Sequence, residues 1–108
     1  MAISDEQIAF VQDLFESLGQ VSIRKMFGGL GVYLDGTIFA IVMSDGDLKL
    51  KGAGSMPTVF EDAGWAPWTY TRKDGASSSM PYWKIPEELL DDPQEVCAWA
   101  QRALAELR

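Results

Sequence analysis

Apolar residues near the start of the chain recur with the spacing of a helix. They are three or four residues apart, and Leu14 widens the stripe that they form: Ile8, Val11, Phe15 and Leu18. This pattern predicts a helix with one buried face. Ser4, followed three residues later by Gln7, forms a capping box that predicts where the helix begins, and Gly19 predicts its end.

A second stripe predicts a helix at the other end of the chain. Asp92 stands at the capping position, Pro93 at the first helical position, and Glu95 completes another capping box. The apolar residues that follow share one helical face: Val96, Trp99, Ala100, Ala103, Leu104 and Leu107. Both ends of the chain are therefore predicted to be helices that bury one side.

The middle of the chain has the periodicity of strands. Residues 37–43 form a continuous apolar run, which predicts a central strand covered on both faces or nearly so. The Asp35-Gly36 pair before it favours a tight hairpin turn. Residues 47–51 alternate, so we expect two leucines to point inward and both Lys49 and Lys51 to point toward solvent.

The rest of the middle predicts a short helix and two more strands. Ser44-Asp45-Gly46 indicates a turn, residues 56–62 a short helix, and residues 68–72 and 79–85 the strands. Pro81 lies inside the last of these, which favours an edge position or a bulge for it. The order of elements predicts one α+β domain over residues 1–108, with helices on one face of an antiparallel sheet.

The charge of the chain argues against autonomous binding to duplex DNA. Sixteen acidic and nine basic residues give a formal net charge of −7. Residues 1–19 and 85–108 hold ten of the acidic groups and two of the basic ones, so acidic ends flank a nearly neutral middle. A DNA-binding surface needs cations at many phosphates, which this distribution does not favour.

The residue types present favour a non-enzymatic protein without a metal or cofactor. The sequence contains no histidine and a single cysteine, Cys97, which excludes histidine-based nucleophilic sites and nearly all zinc-ligand sets. We expect Cys97 to be a buried structural thiol and the paired carboxylates to be solvated, at Asp45/Asp47, Glu87/Glu88 and Asp91/Asp92. Without a membrane span, signal-peptide pattern or disulfide, a cytoplasmic bacterial protein is the simplest interpretation.

Residues 24–36, RKMFGGLGVYLDG, admit three interpretations. A phosphate-binding loop is disfavoured, because no helix pattern begins after the glycines. A bend or bulge in a strand is favoured, since glycine adopts backbone angles that other residues avoid. A contact with a partner is compatible with such a bend. Arg24 and Lys25 fall on opposite faces of a strand, so at most one of them can face the core, and the other is a candidate for that contact.

Several segments together resemble the N-terminal domain of the TfoX/Sxy competence regulators. They are RKMFGG, GVYLDGTIFAIV, DLKLK and MPYWKIPEELLDDP, followed by the helix that contains Trp99-Ala100. The resemblance covers residues 21–107 and implies a secretion-chaperone-like α+β fold, α-β(3)-α-β(2)-α, with about five strands. It favours residues 23–34 as one long strand bent at its glycines rather than a hairpin.

The resemblance also implies a role in controlling DNA-uptake genes. Full-length members of the family resemble two-domain co-activators that work with the cyclic-AMP receptor protein, and this sequence resembles their N-terminal half. The family supplies no catalytic residue to carry over. We therefore expect a non-enzymatic interaction module that contacts a transcription factor or polymerase component. We also expect that this module can form a homodimer. The candidate contact residues are Arg24, Lys25, Tyr33, Lys49 and Lys51.

Other classes of function predict different surfaces. A chaperone-like domain that binds small ligands or peptides would need a deep apolar pocket, or an apolar sheet face exposed in a dimer. An enzyme would need a carboxylate buried in a cleft near Arg24 or Arg72. Direct binding to DNA would weaken steeply with salt.

Overall fold

The computed structural model describes residues 5–26, 29–43, 46–71, 74–75 and 77–107. It contains three α-helices and six strands in these ranges. In chain order they are α1 (Asp5–Leu14), β1 (Ser22–Met26), β2 (Gly29–Leu34), β3 (Thr37–Val42), β4 (Leu48–Lys51), α2 (Met56–Asp62), β5 (Pro67–Thr71), β6 (Ser77–Lys84) and α3 (Pro93–Leu107). Short 3₁₀ turns follow α1 at Glu16–Leu18 and precede α3 at Glu87–Asp91.

The strands form one antiparallel sheet in the order β1-β2-β3-β4-β6-β5. The α+β class with helices at both ends is confirmed, but the sheet has six strands rather than about five. The difference lies in residues 23–34, for which the prediction of one long bent strand was wrong. Ile23 pairs with Val32 and Met26 pairs with Gly29, so the chain reverses between β1 and β2 as a hairpin. The order is therefore α-β(4)-α-β(2)-α.

Close packing against β3 explains why this hairpin has a glycine at position 29. A Cβ atom at position 29 would collide with the carbonyl oxygen of Val42 and lie 3.0 Å from the Cα atom of Met43. The end of β3 thus approaches the backbone too closely for any side chain at this position. Phe27 and Gly28 lie outside the described residues, as do Ser4 and the Ser44-Asp45 part of the expected turns.

The β2–β3 hairpin turns at Asp35-Gly36, as the sequence predicts. Both residues have positive φ angles, 52° and 83°, the conformation that a tight two-residue turn requires. Further along, the register shifts: Val32 pairs with Ala40, whereas Tyr33 pairs with Ile38. Phe39 is the extra residue of this bulge, and it is fully buried in the core.

Pro81 also lies at an irregularity, which confirms one of its two expected settings. Pro67 pairs with Trp83 and Thr69 pairs with Ser79, so β6 has more residues than β5 between these two points. The edge position is wrong, because β6 lies between β4 and β5. Pro81 still contributes its carbonyl oxygen, which accepts a hydrogen bond from the Gly52 N–H at 3.0 Å.

One core fills the space between the sheet and the helices. The Phe15 and Phe39 rings meet edge to face with centroids 5.1 Å apart, which joins the end of α1 to the bulge of β3. A second aromatic group joins α2, β6 and α3, and its members are Phe60, Trp65, Trp83 and Trp99. The apolar stripes of both terminal helices belong to this core, as their spacing predicts.

The start of α3 matches its predicted capping. The Oδ1 atom of Asp92 accepts a hydrogen bond from the Glu95 N–H at 3.3 Å, and Pro93 takes the first position of the helix. Cys97 is buried, as expected, and its Sγ atom lies 3.2 Å from the Leu14 carbonyl oxygen. This contact ties α3 to the last turn of α1.

Candidate functional site

The face of the sheet that points away from the core is the candidate site, and we call it the open face. Its residues follow from the register of the strands. Arg24 pairs with Gly31, Gly31 with Ile41, Ile41 with Lys49, and Lys49 with Lys84. Residues that pair directly share a face, so these five form one row across β1, β2, β3, β4 and β6.

A neighbouring part of the same face bears the aromatic residues. Tyr33 pairs with Ile38, and Lys51 pairs with Tyr82. Trp68 belongs to this face too, since its ring lies 6.2 Å from the Tyr82 ring, edge to face. The open face therefore combines rings, two isoleucines and four cations.

Arg24 lies beside a gap in the row. Its neighbour Gly31 has no side chain, and the guanidinium carbon of Arg24 lies 5.4 Å from the centroid of the Tyr33 ring. This geometry is a cation–π contact. Arg24 remains exposed, and the contact with the Tyr33 ring fixes the direction of its side chain.

Lys49 points away from the core, as expected, but its predicted exposure to solvent is wrong. Only 3% of its surface is exposed, and its Nζ atom lies 5.3 Å from the centroid of the Trp68 ring. Beside it, Ile41 is 4% exposed although it does not belong to the main core. Long side chains on the same face can bury both residues, because a lysine stem is itself apolar.

Tyr33 influences the protonation of Tyr82 on the open face. Burial raises the pKa of Tyr82 above its ordinary value of 10.0, and the nearby Tyr33 phenol raises this pKa further. Both effects disfavour the phenolate. At neutral pH the Tyr82 hydroxyl therefore remains a hydrogen-bond donor and acceptor on the open face.

The sequence-predicted contact residues do not all lie together. Arg24, Tyr33, Lys49 and Lys51 share the open face, whereas Lys25 pairs with Leu30 on the side of the core. Lys25 is exposed at the edge strand β1. Besides Ile38, which pairs with Tyr33, the structure adds four residues to the open face: Ile41, Trp68, Tyr82 and Lys84.

The sequence pattern indicates only weakly that these four residues lie on the open face. Tyr82-Trp83-Lys84 alternates, and the burial of Trp83 in the core places its two neighbours on the opposite face. Trp68 could not be assigned in this way, because the register shift between β5 and β6 breaks the alternation there.

The described residues form no arrangement typical of a catalytic or metal site. Within the ranges that the structure describes, Lys49 is the one buried charged residue, and no group of three or more His, Cys, Asp or Glu residues is placed to hold a metal ion. The described residues Asp91 and Asp92 are exposed, as are Glu87 and Glu88. Arg72, near which an enzyme would need a buried carboxylate, lies outside the described residues.

Grooves lined by described residues lie along the helices and beside Lys84 of the open face. One is lined by Leu18, Leu34 and Leu104 with Gln101 and Ala105, and others lie along α1 and beside the turn that precedes α3. No helix of the described residues is long and apolar enough to cross a membrane.

Comparison with known proteins relates the chain to one protein family. The family model described as the TfoX N-terminal domain matches residues 13–107. Over its whole length, the chain is 24% identical to DNA transformation protein TfoX1 of Aliivibrio fischeri and covers 53% of that protein. Over 82% of its length it is 30% identical to protein Sxy of Escherichia coli, of which it covers 41%. The chain thus spans about half the length of these relatives, or less.

Proposed function

Since the chain belongs to the TfoX N-terminal domain family, we propose that it is a non-enzymatic interaction module in the control of DNA transformation. It acts in the cytoplasm by binding a protein partner, a transcription factor or a polymerase component, through the open face. The relative TfoX1 is named a DNA transformation protein, which supports the proposed process. The class of partner is inferred from the family resemblance, and the binding face is inferred from this chain's own residues.

One observation carries the proposal: the open face is a mixed aromatic and cationic surface without a helix of the described residues on it. Arg24 is exposed, and Tyr33, Lys51, Trp68 and Tyr82 are each half-buried. Aromatic residues and arginine are the types most often found at the centre of protein interfaces. Their side chains already contact one another, so little conformational entropy is lost when a partner binds.

The chemistry of the residues supports a binding role over a catalytic one. The sequence has no histidine, and the described carboxylates are not buried, whereas general acid–base catalysis by carboxylates relies on a site that excludes water. The raised pKa of Tyr82 keeps its hydroxyl protonated at neutral pH, so this residue is poorly suited to act as a general base.

Affinity capture with matched variants tests this function. The tagged wild-type chain and its Arg24→Glu and Lys25→Glu variants are used to capture proteins from a lysate of the native host, and the captured proteins are identified by mass spectrometry. Both substitutions reverse one charge on adjacent exposed residues of β1, but only Arg24 belongs to the open face. We expect Arg24→Glu to lose a transcription factor or polymerase component that wild type and Lys25→Glu retain.

A transformation assay gives the second readout. A deletion strain complemented with each form should show lower transformation frequency and lower transcript levels of DNA-uptake genes with Arg24→Glu than with Lys25→Glu. Capture of metabolic enzymes alone, or equal transformation with the deletion and the wild type, would overturn the proposed function.

A further inference from the structure

We propose that the open face binds an acidic peptide segment that presents at least one aromatic or large aliphatic side chain. This inference rests on the proposed function and deepens it by stating the chemistry of the partner. The occupant is a segment of another protein, and its carboxylates contact the cations at either side of the aromatic centre.

Charge complementarity supports an acidic occupant. Although the whole chain has a net charge of −7, the open face brings together the cations Arg24, Lys49, Lys51 and Lys84. Lys84 contacts Asp47, with Nζ and Oδ1 3.6 Å apart. The described acidic groups of α1 and α3 lie on helices across the sheet. A negatively charged segment is therefore attracted to this face and repelled from the helices.

The positions of the cations define where carboxylates bind. Arg24 lies on β1 and Lys51 on β4, three strand spacings apart. Lys51 also lies two residues along its strand from Lys49, which shares the row of Arg24, and the two offsets together correspond to roughly 16 Å. A segment with carboxylates at both ends of such a span can contact both cations at once. Arginine oriented by Tyr33 suits a two-point contact with a carboxylate.

The centre of the face requires an apolar side chain. Between Arg24 and Lys51 lie Ile38 and the Tyr33 ring, both half-buried, beside the buried Ile41, with Tyr82 beyond Lys51. Burial of an aromatic ring on such a surface is worth more than a rim ion pair, because exposed ion pairs contribute little. Acidic residues alone should thus bind weakly.

Single-stranded nucleic acid also combines charge with rings, but the face favours it less. A polyanion needs several accessible cations along its backbone. Lys49 is 3% exposed and lies against Trp68, and Lys84 already contacts Asp47. Arg24 and Lys51 remain as the more accessible pair, which suits a peptide with two or three carboxylates.

A second copy of the chain is the other occupant to distinguish. Two open faces would repel each other, since both bear cations. The helix α1, in contrast, is acidic and exposes Phe10, which is 47% exposed. Head-to-tail association through α1 is therefore an outcome that the experiment must separate from binding of a foreign segment.

Binding of short fluorescein-labelled peptides, measured by anisotropy, tests the inference. The first peptide contains glutamates around one phenylalanine, the second replaces that phenylalanine with alanine, and the third replaces the glutamates with lysines. A short oligothymidylate is the nucleic-acid probe. We expect the first peptide to bind most tightly, the alanine version about tenfold more weakly, and the lysine version and the oligothymidylate not measurably.

Variants of the protein locate the binding. Lys51→Glu and Trp68→Ala should each weaken binding of the first peptide by about tenfold, and the matched control Lys25→Glu by less than about twofold. Circular dichroism and thermal unfolding establish that each variant is folded. Because Lys51→Glu changes charge and Trp68→Ala removes a ring, a folding defect in one variant leaves the other as the test.

Specified results would overturn the inference. Equal binding of the lysine peptide, tighter binding of oligothymidylate, or equal weakening by Lys25→Glu would each do so. So would concentration-dependent self-association in sedimentation that both Phe10→Ala and Lys51→Glu abolish. If no peptide binds while capture from lysate still depends on Arg24, this inference fails and the proposed function stands. If capture does not depend on Arg24, the proposed function fails.

Discussion

Glu106, in the last turn of α3, accepts a hydrogen bond from the hydroxyl of Ser55, and the two oxygens are 2.5 Å apart. Ser55 stands at the capping position of α2 but makes no cap with its own side chain. The contact thus connects the end of the chain to the start of the short helix, 51 residues earlier.

We expect this pair to stabilise the packing of α2 against α3. Ser55→Ala and Glu106→Gln should each lower the free energy of unfolding by about 1 kcal/mol, the usual contribution of one such hydrogen bond. Urea unfolding of the two single variants and of the double variant measures their coupling. If the two effects simply add, the residues do not stabilise each other and the interaction is not formed in solution.

Gly54 gives a second prediction at the same place. Its φ angle is +60°, and a Cβ atom there would lie 2.5 Å from Oε2 of Glu106. Gly54→Ala should therefore cost about 1 to 2 kcal/mol for the left-handed backbone, plus the loss of the Ser55 hydrogen bond as Glu106 moves away.

Gly64→Ala is the matched control for this substitution. Gly64 also has a positive φ angle, +85°, but nothing lies within 4 Å of its added Cβ atom. Chemical unfolding should show a smaller loss for Gly64→Ala than for Gly54→Ala. In a Glu106→Ala background the two losses should become similar, and a persistent difference would contradict the assigned contact.

Phe39 tests the bulge in β3. Strict alternation would place Phe39 and Ala40 on opposite faces of the sheet, but the register shift turns both side chains toward the core. Phe39→Ala should destabilise the protein by about 3 to 5 kcal/mol, as for a fully buried ring. Ile38→Ala, on the open face, should cost roughly 1 kcal/mol. Thermal unfolding distinguishes them, and similar losses would argue against the bulge.

Tyr82 predicts how stability changes at alkaline pH. Because burial and Tyr33 raise its pKa, the folded protein holds the phenolic proton more tightly than the unfolded chain does. The stability that Tyr82 contributes is complete below its ordinary pKa of 10.0 and is lost as the pH rises through the higher folded value. Tyr82→Phe should therefore lose less stability than wild type above about pH 10.

Absorbance titration of the phenolate gives an independent measurement. A phenolate that forms above the ordinary tyrosine pKa of 10.0 in wild type should be absent in Tyr82→Phe. In Tyr33→Phe the pKa of Tyr82 should move toward lower pH, since the second cause of the shift is removed. A titration that is the same in wild type and Tyr82→Phe above this pH would contradict the raised pKa.

The helices and most of the strands could be predicted because local signals determine them. The short helix occupies residues 56–62, as predicted, and α3 begins at Pro93 behind its Asp92 cap. Here the apolar spacing, the capping residue and the proline agree with one another. The Asp35-Gly36 turn was equally secure, since few residues adopt two successive positive φ angles.

The hairpin of β1 and β2 could not be distinguished from a bent strand by its pattern. Arg24 and Lys25 alternate in either arrangement, and so do Val32 and Tyr33. The difference depends on the close approach of β3 to Gly29, a contact with residues 42 and 43. Tertiary packing thus decided what periodicity left open.

The sequence predicts toward which face of the sheet the side chains of the candidate site point, but it does not predict how deeply they are buried. Alternation placed Lys49 and Lys51 opposite Leu48 and Leu50, as observed. Whether Lys49 is exposed depends on Trp68, a residue of another strand that follows a register shift. The sequence spacing of the two residues carries no information about that contact.

The arrangement of the helices on one side and the cations on the other has a consequence for how this molecule meets a partner. Among the described residues, four cations lie on the open face and the carboxylates of α1 and α3 lie on the other side of the sheet, so the charges of these residues form an electric moment that points through the sheet. For the partner that we propose, this field would orient the incoming segment before any side chains touch. Added salt should then slow association more than it speeds dissociation, so that partners would be selected by encounter as well as by fit.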